Sequence, residues 1–174
     1  MLRGLVLGGG LCVWKDAEAA LALFEPDAVI AINDMIPRWP GPIDYACSLH
    51  DDKIARWKAS RPGNKLYQVW SRKRSKGIDR VTNDWGGSSG LYACKILMQE
   101  GFDRIVLAGV PMVPAEKNVA RNQVWNAAKS YRKAWERHAE IKQFVRSISG
   151  WTKDLLGYPT PEWLGVEAPA RLVA

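Results

Sequence analysis

Residues 2–10 read Leu-Arg-Gly-Leu-Val-Leu-Gly-Gly-Gly, a short apolar run that ends in three glycines. Short apolar runs return at residues 28–32 (AVIAI) and 104–108 (RIVLA). Each run is shorter than an ordinary helix and too continuously apolar for a strand with one face in water, so the pattern predicts strands that are buried on both faces. A stretch with helical spacing follows the first run, at residues 16–24.

The alternation of strands and helices continues along the chain. Further strands are predicted at residues 43–49 and 65–70, and further helices at 51–59 and 91–100. The pattern is typical of an α/β fold with a Rossmann-like open, mostly parallel sheet of about five strands and flanking helices. In such sheets ligands bind beyond the carboxyl ends of the strands, near the point where the strand order reverses.

After the fifth predicted strand the pattern becomes purely helical. Helical spacing over residues 116–147 predicts one long C-terminal helix that packs on the sheet. We therefore expect a single domain, in which residues 1–114 form the Rossmann-like core and residues 115–174 form a helical extension.

Composition supports one globular domain. A chain of 174 residues with 47% hydrophobic and 25% charged residues can bury a core without disulfides or structural metal. Its three cysteines form no CxxC pair, so we expect core thiols in a reducing, cytoplasmic protein. The apolar segment at residues 2–12 is too short for a membrane span, and no membrane partner is expected. Nine Trp residues indicate a Trp-rich core, a stacking platform or a partner surface.

Two glycine-rich segments precede predicted helices. The first is Gly8, Gly9 and Gly10, and the second is Gly86, Gly87, Ser88 and Ser89. Backbone N–H groups at a helix N-terminus can bind a phosphate, and both segments are predicted to do so. The alternatives are a tight turn at the first segment and an N-cap at Ser88 or Ser89 in the second.

Polar side chains follow the second and third predicted strands. Asn33 and Asp34 are candidates for binding a ribose hydroxyl or a metal, or are turn and cap residues. His50 and Asp51 are candidate catalytic residues, because a histidine beside a carboxylate suits proton transfer near neutral pH. Alternatively, Asp51 caps the following helix and His50 is a loop residue. His138 is predicted to be a packed core histidine.

The net charge is concentrated in one part of the chain. Of the overall +7, residues 51–80 carry ten Lys or Arg against three Asp, and they include the segment Arg72-Lys73-Arg74-Ser75-Lys76. This loop is predicted to be a lid over an acidic ligand, with Arg72 and Arg74 contacting phosphate. The same charges would suit nucleic acid, or would form a solvated loop.

A family resemblance rests on residues 86–91 (GGSSGL) and 101–110 (GFDRIVLAGV). Over residues 2–112 the chain resembles the MptE-like Rossmann proteins, the 6-hydroxymethylpterin diphosphokinase-like family. It is more remotely similar to bacterial sialyltransferases, and it also resembles small phage or prophage proteins of this type. The resemblance implies that both glycine-rich segments approach nucleotide phosphates and that Asn33 matches the family's polar residue. Two features depart from the family pattern: Leu11-Cys12 replaces a Pro-Ser continuation, and Pro111 stands where relatives often carry an acidic residue.

These observations lead to one expectation and two alternatives. The expectation is a nucleotide- or phosphate-ligand-binding protein, acting as a transferase on a phosphorylated or nucleotide-activated substrate, with a nucleotide and Mg²⁺ as cofactor. One alternative is a noncatalytic nucleic-acid-binding protein. The other is an assembly protein, such as a homo-oligomer, whose aromatic C-terminal residues Trp151, Tyr158 and Trp163 dock on a partner.

Overall fold

A computed structural model describes residues 1–63, 66–114, 117–120, 124 and 127–167. The described chain forms one parallel sheet in the order β5-β4-β3-β2-β1-β6-β7. The strands are β1 (Arg3–Leu7), β2 (Ala28–Ile32), β3 (Tyr45–Cys47), β4 (Gln68–Ser71), β5 (Arg80–Val81), β6 (Arg104–Ala108) and β7 (Val145–Ser147). The expected α/β class with an open parallel sheet is therefore confirmed.

Helices cover both faces of this sheet. They are α1 (Val13–Leu23), α2 (Met35–Arg38), α3 (Asp51–Ser60), α4 (Ser89–Gln99), α5 (Ala128–Arg137), α6 (Gly150–Leu156) and α7 (Pro161–Leu164). Buried residues of α1, α2, α3 and α7 belong to one hydrophobic cluster, and those of α4, α5 and α6 belong to the other. Within the described ranges no helix is long and apolar enough to cross a membrane.

Alternation along the strands explains the two clusters. Leu5 and Leu7 of β1 pack in the cluster with α1, whereas Val6 between them packs in the cluster with α4. Successive side chains of a strand point to opposite faces, so a sheet covered on both faces needs apolar residues at every position. All five residues of β2 are buried, which matches this requirement.

The expected strand count of about five is wrong, because the sheet has seven strands. The two strands that sequence reasoning missed are β5 with two residues and β7 with three. Strand β3 has three residues too, but it lies within the longer predicted strand at residues 43–49. No such run surrounds β5 or β7, which pair with β4 and β6.

The single long C-terminal helix is also wrong. Its predicted start at residue 116 lies outside the described residues, and α5 ends at Arg137. A 3-10 helix (Ala139–Gln143) and β7 follow. Val145 lies at a position that fits the helical spacing of residues 116–147. In the structure, however, its backbone pairs with Ile105 of β6 and its side chain is fully buried. The C-terminal part thus contributes an outer strand to the sheet as well as helices.

The strand order reverses beside the central strand β1. From β1 the chain steps outward through β2, β3, β4 and β5 on one side, and β6 and β7 lie on the other. The carboxyl ends of β1 and β6 therefore flank the switch point, where open α/β sheets bind their ligands.

Candidate ligand-binding site

A cavity of about 180 Å³ lies at this switch point. The segments that follow β1, β2, β3 and β6 line it, together with the start of α4, Lys117, Asn118 and Tyr131 of α5. Eight residues that the sequence predicted as site residues are among the lining. They are Gly8, Gly9, Gly10, Asn33, His50, Gly87, Ser88 and Ser89.

The first glycine-rich segment lines the cavity, and two of its three N–H groups donate within the fold. Gly8 N donates to Ala108 O at 2.8 Å, and Gly10 N donates to Gly109 O at 2.9 Å. A Cβ at Gly8 would lie 2.4 Å from Gly109 O, closer than real Cβ atoms approach an oxygen. The glycines of this segment therefore allow close packing of the two loops, and the N–H groups of Gly8 and Gly10 are engaged within the fold.

The N-terminus of α4 offers a different arrangement. Ser88 is the N-cap residue, yet its side chain makes no capping hydrogen bond. Its Oγ instead accepts a hydrogen bond of 3.2 Å from Nε1 of the buried Trp135. The N-terminus of α4 therefore has no side-chain cap from Ser88, and its residues Ser88, Ser89 and Gly90 line the cavity. A helix N-terminus favours an anion.

The loop before α4 is fixed by charged and aromatic contacts. Asp84 Oδ2 accepts a hydrogen bond from Gly87 N at 2.6 Å. The buried Lys95 lies 5.6 Å from the Trp85 ring centroid, and that ring stacks on His138 at 4.9 Å. His138 is therefore a half-buried stacking residue at the end of α5 and not the core histidine that the sequence predicted. Gly86 lies outside the cavity lining and packs against α5.

Asn33 joins the ends of three elements in a polar network. Its Oδ1 accepts a hydrogen bond of 2.6 Å from Ser48 Oγ, and its Nδ2 donates to Ser89 Oγ at 3.4 Å. Ser48 Oγ in turn accepts from His50 N at 2.9 Å. Asn33 has a φ of 52°, a left-handed conformation that asparagine adopts more readily than most residues. The network holds the carboxyl ends of β2 and β3 against the start of α4.

The two carboxylates predicted beside the site have structural contacts. Asp34 Oδ1 accepts a hydrogen bond of 3.0 Å from Trp57 Nε1 of α3. Asp51 Oδ1 accepts a hydrogen bond from the hydroxyl of the fully buried Ser71. Neither residue lines the cavity, whereas His50 does. His50 is therefore the one member of the predicted His50–Asp51 pair that faces the site.

Arg72 and Arg74 do not line the cavity either. Arg72 Nη2 donates to Leu49 O at 3.2 Å, and Arg74 Nη1 donates to Ile78 O and Asp79 O at 3.3 and 3.1 Å. Arg74 thus fixes its own loop, and Arg72 ties that loop to the segment after β3. Among the described residues, the cation that lines the cavity is Lys117, which no sequence pattern singled out.

Sequence reasoning also missed the loop after β6. Met112 lines the cavity with a φ of 50°, an uncommon conformation for a residue with a side chain. Its carbonyl accepts a hydrogen bond of 2.9 Å from Arg132 Nε, and the Arg132 guanidinium lies 4.8 Å from the Trp151 ring centroid. Helices α5 and α6 therefore hold this wall of the site in place.

The buried thiols do not take part in this site. Cys47 and Cys94 are fully buried, and burial raises the pKa of both thiols well above the ordinary value of about 9. A buried thiol stays protonated at neutral pH, and the thiolate is the nucleophilic form, so neither cysteine suits catalysis. Cys12, by contrast, is half-buried at the start of α1.

The donor set does not provide a protein-held metal site. Over the described ranges, no three His, Cys, Asp or Glu side chains lie together in a way that could hold a metal ion. Among the described residues, those that line the cavity include no carboxylate.

Two of the three aromatic residues proposed for partner docking pack within the chain. The Trp163 ring lies between the guanidinium groups of Arg104 and Arg146, at 5.1 and 4.9 Å. Trp151 carries the Arg132 contact, whereas Tyr158 is exposed.

Fold and site together define an α/β protein with a parallel sheet and a small cavity at its switch point, lined by both polar and apolar residues. The chain matches no family model, no curated protein and no solved structure.

Proposed function

We propose that the protein binds a nucleotide or another phosphorylated small molecule in the switch-point cavity. The observation that carries this proposal is the convergence of an uncapped helix N-terminus, a lysine and a polar network on one cavity. The α4 N-terminus and Lys117 supply positive potential for a phosphate. Asn33 and Ser89 supply hydrogen-bonding groups for a sugar hydroxyl.

The size of the cavity sets how such a ligand would lie. Sites that enclose a whole drug-sized ligand have volumes of about 300 to 1,000 Å³, and this cavity has about 180 Å³. The phosphate and an adjoining sugar would occupy the cavity, and the rest of the ligand would extend outward.

Group transfer is the reaction class that we propose for this site. His50 faces the cavity, and the hydrogen bond from its backbone N–H to Ser48 fixes its position. A neutral imidazole there would take the proton of a substrate hydroxyl as its oxygen forms a bond to phosphorus. The bond from that phosphorus to its bridging oxygen would break, the rest of the ligand would leave with the electron pair on that oxygen, and the α4 N-terminus would stabilise the negative charge. The resemblance to diphosphokinase-like Rossmann proteins points to the same reaction class.

Thermal unfolding with a ligand panel tests the binding proposal. The panel contains nucleoside mono-, di- and triphosphates, nucleotide sugars, pyrophosphate and inorganic phosphate, each with and without Mg²⁺. A ligand at about 100 times its Kd stabilises the native state by about 2.7 kcal/mol, which raises Tm by about 5 to 10 °C for a chain of this size. Absence of any shift across the panel would contradict the proposal.

Two variants test whether the ligand binds in the cavity. Asn33→Asp keeps the acceptor for Ser48 but adds a negative charge, so we expect at least tenfold weaker binding of the ligand found in the panel. Lys117→Gln should also weaken binding, whereas Lys15→Gln, at an exposed position on α1, should not. Unchanged affinity in both cavity variants would place the ligand elsewhere.

A further inference from the structure

The connection between β4 and β5 forms an exposed cationic edge of the sheet. We call residues 72–80 the basic connection. All five of its cations are exposed, and they are Arg72, Lys73, Arg74, Lys76 and Arg80. The ion pairs found among the described residues use none of these cations. The one acidic residue of the segment, Asp79, accepts a hydrogen bond of 2.8 Å from Val69 N.

Several contacts fix the shape of this segment. Ile78 is buried in the cluster that includes residues of α3, and Asp79 N donates to Val69 O at 2.9 Å. The guanidinium groups of Arg72 and Arg74 donate to backbone carbonyls. The cations are therefore presented on an ordered loop at the edge of the sheet, beyond the cavity.

We propose that the basic connection binds the sugar-phosphate backbone of duplex nucleic acid without sequence preference. Five cations within nine residues complement a polyanion of closely spaced phosphates. Single-strand binding would need aromatic rings for base stacking, and residues 71–81 contain no aromatic residue. They contain no Asn or Gln for base reading either. Arginine and lysine can also read guanine edges, but Arg72 and Arg74 here donate to backbone carbonyls. We therefore assign the exposed cations to phosphate contacts.

Charged residues on an edge strand can also serve only to prevent pairing with other chains. That role requires no ligand. If the cations bind nucleic acid, reversing these particular charges should lower the affinity for a polyanion. If they only prevent edge pairing, it should not. A matched pair of variants distinguishes the two roles.

The experiment measures fluorescence anisotropy of a labelled 20-base-pair DNA duplex of arbitrary sequence, from 50 to 200 mM salt. The test variant is K73E/K76E, which leaves the hydrogen-bonding arginines in place. The control is K129E/K133E, at two exposed positions of α5, because it changes the net charge equally. We expect at least tenfold weaker binding for the test variant and at most threefold for the control.

Salt dependence supplies a second readout. Loss of two phosphate contacts should lower the slope of log K against log salt by about 1.8 for a duplex. A second duplex sequence and an RNA duplex should bind within a few-fold of the first, and single-stranded DNA should bind more weakly. K73Q/K76Q repeats the test with a milder change if K73E/K76E melts at a lower temperature.

Three outcomes would overturn the inference. They are absence of duplex binding at 50 mM salt, equal losses in the test and control variants, and binding to vesicles with 20 mol% phosphatidylserine in place of the duplex. Asn33→Asp in the cavity should leave duplex binding unchanged. Failure of duplex binding would therefore leave the proposed function of the cavity untouched, and the reverse also holds.

Discussion

Asp16 hydrogen-bonds to two segments beside the switch point of the sheet. Its side chain is 4% exposed, and Oδ2 accepts hydrogen bonds from Gly109 N at 2.9 Å and from Ser149 Oγ at 2.6 Å. One carboxylate oxygen thus joins α1, the loop after β6 and the start of α6. The sequence gives no signal for this role, because an acidic residue in the first turn of a helix is ordinary.

Replacing Asp16 by Asn should destabilise the protein by about 1 to 3 kcal/mol, because hydrogen bonds to a charged group are lost or weakened in a buried place. Urea unfolding measures the change in the free energy of unfolding. Glu18→Gln is the matched control, since Glu18 is exposed on the same helix. Equal effects of the two substitutions would show that Asp16 has no special role.

At the scale of elements, the close approach of the loops after β1 and β6 depends on Gly8. Gly8→Ala would place a Cβ 2.4 Å from Gly109 O and 2.5 Å from Val110 Cγ2. Since a backbone oxygen cannot move aside as a side chain does, we expect a loss of about 3 kcal/mol in the free energy of unfolding.

Gly77→Ala is the comparison for this prediction. Gly77 has a φ of +86° and nothing within 4 Å of an added Cβ. Its substitution should cost about 1 kcal/mol through the left-handed backbone alone. A Gly8→Ala protein no less stable than Gly77→Ala would contradict the packing explanation.

Some elements could be predicted from sequence because their own residues carry the pattern. Strands β2 and β6 match the predicted ranges, since every position except Arg104 at the start of β6 is apolar and the flanking residues interrupt the run. Strand β7 was not predicted, because its three residues fall within the helical spacing of residues 116–147, whereas the equally short β3 lies in the predicted strand at residues 43–49. The helical spacing over residues 116–147 predicted the wrong structure at Val145. This residue is in a strand because it pairs with Ile105 of β6.

The candidate site was predictable where it depends on strand order. Residues after successive parallel strands meet at one sheet edge, and this places Asn33 and His50 beside the glycine-rich segments. A glycine-rich sequence does not show which of its N–H groups donate within the fold. Phosphate binding was therefore predicted equally for Gly8–Gly10 and for the start of α4, although Gly8 and Gly10 donate to Ala108 and Gly109. Lys117 and Met112 come from a loop whose path only the tertiary structure shows.

For the whole molecule, the closed core predicts how the three thiols react. In the native protein at pH 8, one thiol, Cys12, should react with a disulfide reagent within minutes. Cys47 and Cys94 should stay unreactive, because they are buried and their raised pKa keeps them protonated. Spectrophotometric thiol counting should give one in buffer and three in urea. Three reactive thiols in the native protein would mean that the core opens readily.

The pairing of β1 with β6 has a consequence for synthesis on the ribosome. Arg3 of β1 pairs with Arg104 of β6. Strand β1 is therefore synthesised about a hundred residues before β6, its neighbour on that side. At translation rates of about 5 to 20 residues per second, this interval lasts about 5 to 20 s. During that time β1 can pair with β2 along one edge only. The N–H and C=O groups of its other edge stay open to chaperones or to a neighbouring nascent chain.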